Sequence, residues 1–355
     1  MRFIAFTTVI LLLCTIGRQP SAVAWSHHGH VIITRAAVKL VLEQSTTPAQ
    51  LQALLREGLG DTKKLSQLEN FVLEGGGRDR LDAGLDLFSF RPDELVAAKS
   101  PVPAFNSTEA LMHYLDLEEF HPDPTRRKFA PDGSNKVRIE DLPRDPLDSR
   151  YQSAGFVTFR AEQCYRSLVE SLATNYSNEQ IFLWLGYLSH YIGDAYQPYH
   201  ATIDYQGLNC PCNQNRPQRH NFHPDMEGTL FRDERPAGRQ LRARFWQHFQ
   251  AALTAQRTPS TPEVRLDPYF VTRDALLSGY DYLPMLCRAG SAALVGQEFD
   301  PDAWFSYREK VGQHEITILQ LKAERMAQAT IVLRTLILQA WQEAEQIRRG
   351  KSPSR

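Results

Sequence analysis

The amino-acid sequence predicts an all-α protein, a single helical domain with long loops. Apolar residues recur at intervals of three and four in several segments, and alternating runs of β-branched residues are almost absent. The stretches between the helical segments are rich in Pro, Gly and charged residues, which is typical of loops. A chain of 355 residues without internal repeats or low-complexity tracts is consistent with one large domain.

The N-terminus has the layout of a secretory signal peptide. A basic residue precedes a short apolar run, and Ala22 and Ala24 provide the small residues of a cleavage site. We expect residues 1–24 to be removed, which makes Trp25 the N-terminus of a secreted or periplasmic protein. A retained anchor is the alternative, although the apolar run is shorter than the ~20 residues that span a bilayer. No later stretch is apolar enough to cross a membrane, and residues 25–349 form the predicted domain.

Helical periodicity and helix-stop signals define the elements along this domain. The segments with helical periodicity are 34–42, 156–172, 179–192 and 316–347. The last of them ends in Arg348-Arg349-Gly350, a plausible helix terminus. The predicted loops are 75–77, 122–150, 207–218 and 259–268.

Net charge and cysteine content limit the function only loosely. The formal net charge is −1, and loss of Arg2 and Arg18 with the signal peptide makes it two units more negative. This argues against a broad basic track for nucleic acid, although a small single-strand site needs none. Four cysteines remain after processing, which suggests two disulfides with three possible connectivities. Cys210 and Cys212 are too close to bond easily with each other, so each is expected to pair with Cys164 or Cys287.

Histidine–acid pairs are the main functional signal. His190 and Asp194 lie four residues apart in a strongly apolar helical segment, so they project from one face. His223 and Glu227 repeat that spacing, and His200 lies between the two pairs. A single such pair is usually a surface ion pair or a buried hydrogen bond. Two pairs with an intervening imidazole favour ligands for a divalent cation.

Further candidate residues lie upstream of these pairs. His113 stands in the segment Met112-His113-Tyr114-Leu115-Asp116, and Asp93 follows Pro92 in what we predict to be a proline turn. The processed N-terminus begins Trp25-Ser26-His27-His28-Gly29-His30. A free α-amino group has a pKa near ~8, so it can be neutral at physiological pH and bind a metal together with the Trp25 carbonyl.

These motifs resemble those of the superfamily of zinc-dependent phospholipases C and fungal-type single-strand-specific nucleases. The resemblance covers residues 25–227, and its most specific part is the string His190-x-x-Gly193-Asp194-x-x-Gln197-Pro198-x-His200. It implies a helical fold and three zinc ions. The implied ligands are Asp93, His113, His190 and Asp194 for one zinc; His200, His223 and Glu227 for the second; and the Trp25 amino nitrogen and carbonyl with His30 and Asp194 for the third. His27, His28 and His220 are then not expected to be ligands.

The resemblance also implies a mechanism of phosphate-ester hydrolysis. Asp194 would bridge two metals and, with Asp93, would form the catalytic core. Two close zinc ions can hold a hydroxide at neutral pH, since zinc lowers the pKa of bound water to about 7, and the third can neutralise the leaving oxygen. No Ser or Cys nucleophile is then required.

The substrate is left open by the sequence. In the nuclease branch Tyr114 would stack on a base and Asp116 would accept hydrogen bonds from base edges, although Tyr114 packing in the core is an equal alternative. Glu227 is typical of the phospholipases, and Val96 stands where nucleases have a basic residue, with Lys99 a possible substitute. We favour a monomeric single-strand nuclease or 3′-nucleotidase. Phospholipase C is the alternative, and a non-catalytic secreted zinc-binding protein is the second.

Overall fold

Helices account for most of the chain in the structure, a computed structural model that describes residues 25–76, 81, 83–97, 109–174, 176–214, 216–256, 265–296 and 298–350. The predicted all-α fold is confirmed. The predicted signal peptide, residues 1–24, lies outside the described residues, as does Lys99. The helices, in chain order, are α1 Ser26–Glu43, α2 Ala49–Leu59, α3 Lys63–Ser66, α4 Leu68–Leu73, α5 Gly84–Ala97, α6 Tyr151–Ala154, α7 Val157–Ala173, α8 Asn178–Ala195, α9 Leu230–Arg232, α10 Pro236–Gln256, α11 Pro268–Tyr280, α12 Leu283–Ala293, α13 Pro301–Ser306 and α14 Ile318–Arg348.

Short irregular elements connect these helices. A π-helix over Asp225–Thr229 leads directly into α9. Single turns of 3₁₀-helix lie at Leu117–Phe120, Pro124–Arg126, Ile139–Asp141, Pro198–Ala201 and Pro211–Asn213. Small antiparallel hairpins pair β1 (Leu294–Val295) with β2 (Glu298–Phe299) and β3 (Arg308–Val311) with β4 (His314–Thr317). The predicted loop 122–150 is therefore confirmed as irregular apart from single turns.

Helix α8 lies at the centre of the fold and packs against α1, α5, α7 and α14. Ser177 caps its first turn by accepting a hydrogen bond from the Gln180 amide. Every residue from Leu185 to Ala195 is buried, as expected for a helix that is apolar on all sides. Gly186 allows Phe88 of α5 to approach, because a Cβ at this position would overlap Phe88. The C-terminal half of α8 is thus enclosed on several sides by other helices.

Helix α14 extends along the same core. It has 31 residues and therefore spans ~46 Å at 1.5 Å per residue. The predicted start at residue 316 is wrong by two residues, because Ile316 pairs in β4 and the Thr317 side chain caps the helix by accepting from the Gln320 amide. Among the helices that the structure describes, none is both long enough and apolar enough for a membrane crossing.

Cys210 and Cys287 form a disulfide that ties the loop before Pro211–Asn213 to α12, with the Cα atoms 5.1 Å apart. The second predicted disulfide is wrong. Cys164 is buried as a free thiol on α7, whereas Cys212 is a half-buried free thiol whose sulfur lies 3.9 Å from the carbonyl oxygen of Cys287. The two remaining thiols belong to different parts of the fold. An even number of cysteines therefore did not mean that all of them form disulfides.

Candidate metal centre

Two helices and one loop bring the first group of predicted ligands together. His190 and Asp194 project from one face of α8, as predicted, and Asp93 faces them from α5. His113 reaches the same point from the segment before Leu117–Phe120. The predicted proline turn is wrong, because Pro92 and Asp93 lie inside α5. Proline removes only one amide from a helix ladder, and this helix continues through it.

The ligand atoms of these residues form a tetrahedral cluster, defined here as Asp93, His113, His190 and Asp194. His113 Nδ1 lies 3.0 Å from His190 Nε2, and each of these nitrogens lies 3.1 Å from Asp194 Oδ2. Both nitrogens also lie 3.7 Å from Asp93 Oδ1. Ligands bound tetrahedrally to zinc at ~2.0–2.1 Å are roughly 3.3 Å apart, so these distances match the edges of such a site.

His30 of α1 extends this cluster on the other side of Asp194. Its Nε2 lies 3.4 Å from Asp194 Oδ1 and 3.9 Å from Asp93 Oδ2. Asp194 thus presents one oxygen to His113 and His190 and the other to His30, which is the arrangement a bridging carboxylate requires. Gly193 makes room for this packing, since a Cβ there would lie 3.1 Å from His30 Nδ1.

Trp25 is held beside the same point of α8. Its buried indole donates a hydrogen bond to the Gly193 carbonyl across 2.6 Å. Its own carbonyl accepts from the Gly29 amide at 3.1 Å, and a carbonyl oxygen retains a second lone pair in such a bond. The structure therefore places the Trp25 side chain beside Gly193, the residue before Asp194, and metal binding by its amino nitrogen and carbonyl stays a prediction.

The remaining predicted ligands form a triangular cluster, defined here as His200, His223 and Glu227. His200 Nε2 lies 3.1 Å from His223 Nε2 and 3.4 Å from Glu227 Oε1, and His223 Nε2 contacts the same carboxylate oxygen. Gln197 donates to Glu227 Oε1 at 3.0 Å. No fourth His, Cys, Asp or Glu of the described chain joins this group, so a metal ion bound there would have three protein ligands.

Local structure differs between the two clusters. His200 lies in the 3₁₀ turn Pro198–Ala201, and Glu227 lies in the π-helix that follows Pro224. A π-helix is rare overall but occurs often at functional sites. The triangular cluster is therefore built from short, irregular elements.

Backbone carbonyls orient several of the imidazoles. His190 Nδ1 lies 3.0 Å from the Ser89 carbonyl oxygen, and His200 Nδ1 lies 2.5 Å from that of His113. Each contact requires an Nδ1–H donor, which leaves the Nε2 lone pair directed into its cluster. The bond from His200 to His113 also joins the two clusters directly.

The buried Glu118 carboxylate holds the chain around His200. It accepts hydrogen bonds from the Thr202 hydroxyl at 2.6 Å, the Ile203 amide at 3.1 Å and the Tyr280 hydroxyl at 2.9 Å. Burial raises the pKa of Glu118, and these donors oppose that rise. A carboxylate with three donors fixes the position of the segment that follows His200.

Protonation within the tetrahedral cluster is set by burial and close charges. Burial alone would lower the pKa of His190, but the charges of Asp194 and Asp93 raise it to about 9. Burial alone would raise the pKa of Asp194, but His190 and a hydrogen bond from His113 hold it well below its usual range. Burial raises the pKa of Asp93 well above its usual range. The metal-free cluster therefore holds protons that a bound cation must displace.

Several buried oxygen atoms in this site are available to bind a cation. Both carboxylate oxygens of Asp93 and Oδ1 of Asp194 are buried and accept no hydrogen bond from the described residues. Leaving buried polar atoms without partners costs about 1–3 kcal/mol each, and more for charged groups. The buried clusters of His, Asp and Glu side chains can hold metal ions, which would satisfy these atoms.

No protein-family model matches this chain, and no curated protein is a significant match.

A rim beside the triangular cluster contains the predicted substrate-binding residues. Asp116 is buried, and its Oδ1 has no hydrogen-bond partner among the described residues. Burial raises the pKa of Asp116 well above its usual range. Burial raises the pKa of Tyr114 to about 12, and the charges of Asp116 and Tyr205 add to that rise. Tyr205 is 39% exposed, and its ring centroid lies 6.0 Å from that of His223.

Sequence reasoning missed Tyr205 and the buried cations of α14. Tyr205 lies in a loop without periodicity, and its only signal was an aromatic residue five positions after His200. Lys322 lies on the buried face of α14 between Leu319 and Met326. A lysine on the apolar face of a predicted helix is unusual, so this position could have been recognised from the sequence.

The other histidines occupy structural positions. His27 stacks on Phe90 with ring centroids 4.3 Å apart, and burial lowers its pKa. His220 Nε2 lies 2.6 Å from an Asp225 carboxylate oxygen. His27, His28 and His220 join none of the candidate metal-binding groups formed by the described residues.

Proposed function

We propose that this chain is a secreted zinc-dependent hydrolase of phosphate esters with three zinc ions, and that it favours single-stranded nucleic acids or 3′-nucleotides. The single observation that carries the proposal is the adjacency of the two clusters. They are joined by the bond from His200 to the His113 carbonyl, and Asp194 faces ligand atoms on both of its sides. Adjacent metal sites that share a bridging carboxylate are typical of phosphoesterases.

The donor set favours zinc among the divalent ions. Both clusters combine imidazole nitrogens with carboxylate oxygens, and the tetrahedral cluster has edges suited to four short bonds. Mg²⁺ and Ca²⁺ prefer sites made of oxygen atoms, so the imidazoles argue against them. The chemistry that zinc supplies in such sites is polarisation of the phosphoryl group and activation of water near neutral pH.

The protein side chains have distinct tasks in this proposal. Asp93 and Asp194 hold the centre together and supply negative charge where three imidazoles converge. A zinc held by the triangular cluster would have three protein ligands and could take a water or a phosphate oxygen as the fourth. The buried surroundings exclude bulk water and strengthen each electrostatic contact.

The rim favours a nucleotide over other phosphate esters. Tyr114 and Tyr205 offer two aromatic faces, and stacking contributes about 1–3 kcal/mol per base. The unpartnered Asp116 oxygen can accept a hydrogen bond from a base edge. Phospholipase C activity is the second candidate, favoured by Glu227 at a position where the nuclease branch usually has Asp.

Secretion and a monomeric state complete the proposal. The disulfide between Cys210 and Cys287 fits an oxidising compartment, as the N-terminal sequence predicts.

A substrate panel with metal analysis tests this function. The processed protein is assayed on single-stranded DNA, single-stranded RNA, 3′-nucleotides and phosphatidylcholine, before and after chelation, and its zinc content is measured. We expect hydrolysis of the first three substrates that is lost on chelation and restored by zinc. Hydrolysis of phosphatidylcholine alone would favour the phospholipase. Bound zinc without any hydrolysis would favour the non-catalytic zinc-binding protein.

A further inference from the structure

A buried lysine contacts the backbone of the triangular cluster from outside. Lys322 of α14 is fully buried, and its Nζ donates hydrogen bonds to the carbonyls of Met226 at 2.6 Å and Glu227 at 2.8 Å. It forms no ion pair with a carboxylate of the described chain. Burial of an ammonium group raises the free energy of the folded state unless its N–H donors have acceptors. Lys322 therefore depends on its hydrogen bonds to these two carbonyls.

The same ammonium lies over two aromatic rings. Its Nζ is 4.5 Å from the ring centroid of Trp25 and 5.1 Å from that of Phe231. Cation–π contacts of this kind strengthen when the cation is removed from water. Trp25 in turn donates to Gly193, beside Asp194. A single side chain of α14 thus touches the segment that holds Glu227 and the residue predicted to bind a metal at the N-terminus.

The π-helix explains why outside support is needed here. A π-helix is rarer and less favourable than an α-helix, so a turn of this kind persists where surrounding contacts hold it. The Glu227 carboxylate projects from this turn towards His200 and His223. A small change in the turn would therefore displace the carboxylate from both imidazoles.

We propose that Lys322 is a positioning residue for Glu227: its two hydrogen bonds to the carbonyls of Met226 and Glu227 fix the π-helix in the form that completes the triangular cluster. The inference rests on the proposed function only in treating this cluster as a metal site. Lys322 acts through the backbone of Glu227 and touches no substrate. Support around a metal ligand typically changes metal affinity by about 10–100-fold when it is removed.

The test compares Lys322→Met, which keeps the length of the side chain, with Lys322→Arg, which restores donors. Arg242→Met is the matched control, because Arg242 is also buried and donates to the carbonyls of Leu73, Leu230 and Asp233, none of which is a predicted ligand. Zinc affinity is measured by competition with a chelator, together with the melting temperature of the metal-free protein.

We expect Lys322→Met to weaken zinc binding at the triangular cluster by about 10–100-fold and to leave zinc binding at the tetrahedral cluster unchanged, with partial recovery in Lys322→Arg. Arg242→Met should lower the melting temperature without changing zinc affinity. Equal zinc affinity in Lys322→Met and the parent protein would overturn the inference. If Lys322→Met does not fold, Lys322→Gln, which retains an amide donor, takes its place in the same comparison.

Failure of the proposed function gives a different result. If the parent protein binds zinc but hydrolyses no phosphate ester, the proposed function is contradicted. The positioning role of Lys322 is not affected by that result. If the parent binds no divalent ion, positioning is measured from the imidazole NMR signals of His200 and His223. These signals should shift in Lys322→Met and not in Arg242→Met, and unchanged signals would contradict the role.

Discussion

The tetrahedral and triangular clusters contain similar side chains but are supported in different ways. The tetrahedral cluster takes three of its four residues from the long helices α5 and α8, so its spacing is fixed by regular backbone geometry. The triangular cluster takes its residues from a 3₁₀ turn, the start of a helix and a π-helix, and depends on Glu118, Gln197 and Lys322. Candidate ligands on regular helices therefore need few hydrogen bonds from other segments to hold their positions. Candidate ligands on irregular turns depend on hydrogen bonds from residues that are distant in the sequence.

The largest effect is expected from Asp194→Asn. Asp194 faces His113 and His190 with one oxygen and His30 with the other, so its loss should empty two of the proposed metal positions. We expect kcat/KM to fall by more than about 1000-fold, equivalent to roughly 4 kcal/mol. Zinc content and kinetics measured on the same sample check this. Full activity with unchanged zinc would remove Asp194 from the centre.

Glu227→Gln should have a smaller effect that is confined to the triangular cluster. The carboxylate contacts only His200 and His223 of the predicted ligands, so one zinc equivalent should be lost while the tetrahedral cluster stays filled. We expect a fall of about 100-fold in kcat/KM, since part of the centre remains. Loss of all bound zinc in this variant would show that the clusters are not independent.

Zinc binding by the tetrahedral cluster should depend on pH. The pKa of His190 is raised to about 9, so below that pH the metal-free protein carries a proton on this imidazole. A bound zinc requires the neutral imidazole and must release the proton. Affinity should therefore rise as the pH rises, about tenfold per pH unit for one proton, and should level off near pH 9. Chelator competition at several pH values measures the slope, and a flat profile below pH 9 would contradict the raised pKa.

Asp116→Asn should produce the smallest effect. The substitution is nearly isosteric and lies outside both clusters, so zinc content should not change. We expect the preference among bases to shift by about 10-fold, which corresponds to roughly 1.4 kcal/mol of lost or altered hydrogen bonding. Rates on a set of 3′-nucleotides measure this, with Tyr205→Phe as a control that keeps the aromatic face. Equal base preference in Asp116→Asn and the parent would argue for a substrate without a base.

Regular structure was the part of the molecule that local sequence predicted best. The apolar periodicity of α8 predicted both the helix and the shared face of His190 and Asp194, because that relation depends only on residues four positions apart. Asp93 was assigned to a proline turn, since proline usually ends a helix, yet α5 continues through Pro92.

Contacts between distant segments could not be predicted in the same way. The partner of Cys210 among Cys164 and Cys287 depends on which helix packs beside the loop, and the spacing of cysteines does not contain that information. The two hydrogen bonds that Lys322 donates connect residues almost one hundred positions apart. Such contacts follow from tertiary packing, and a single sequence gives only the hint of a charged residue on an apolar stripe.

Metal stoichiometry of the processed protein tests the account most directly. Elemental analysis after extensive dialysis against metal-free buffer, on the parent protein alone, requires no assumption about substrate. The account predicts about three zinc ions per chain, held by the buried imidazoles and carboxylates of the two clusters and of the N-terminal segment. Protein that is folded, correctly processed and free of any divalent ion would contradict it.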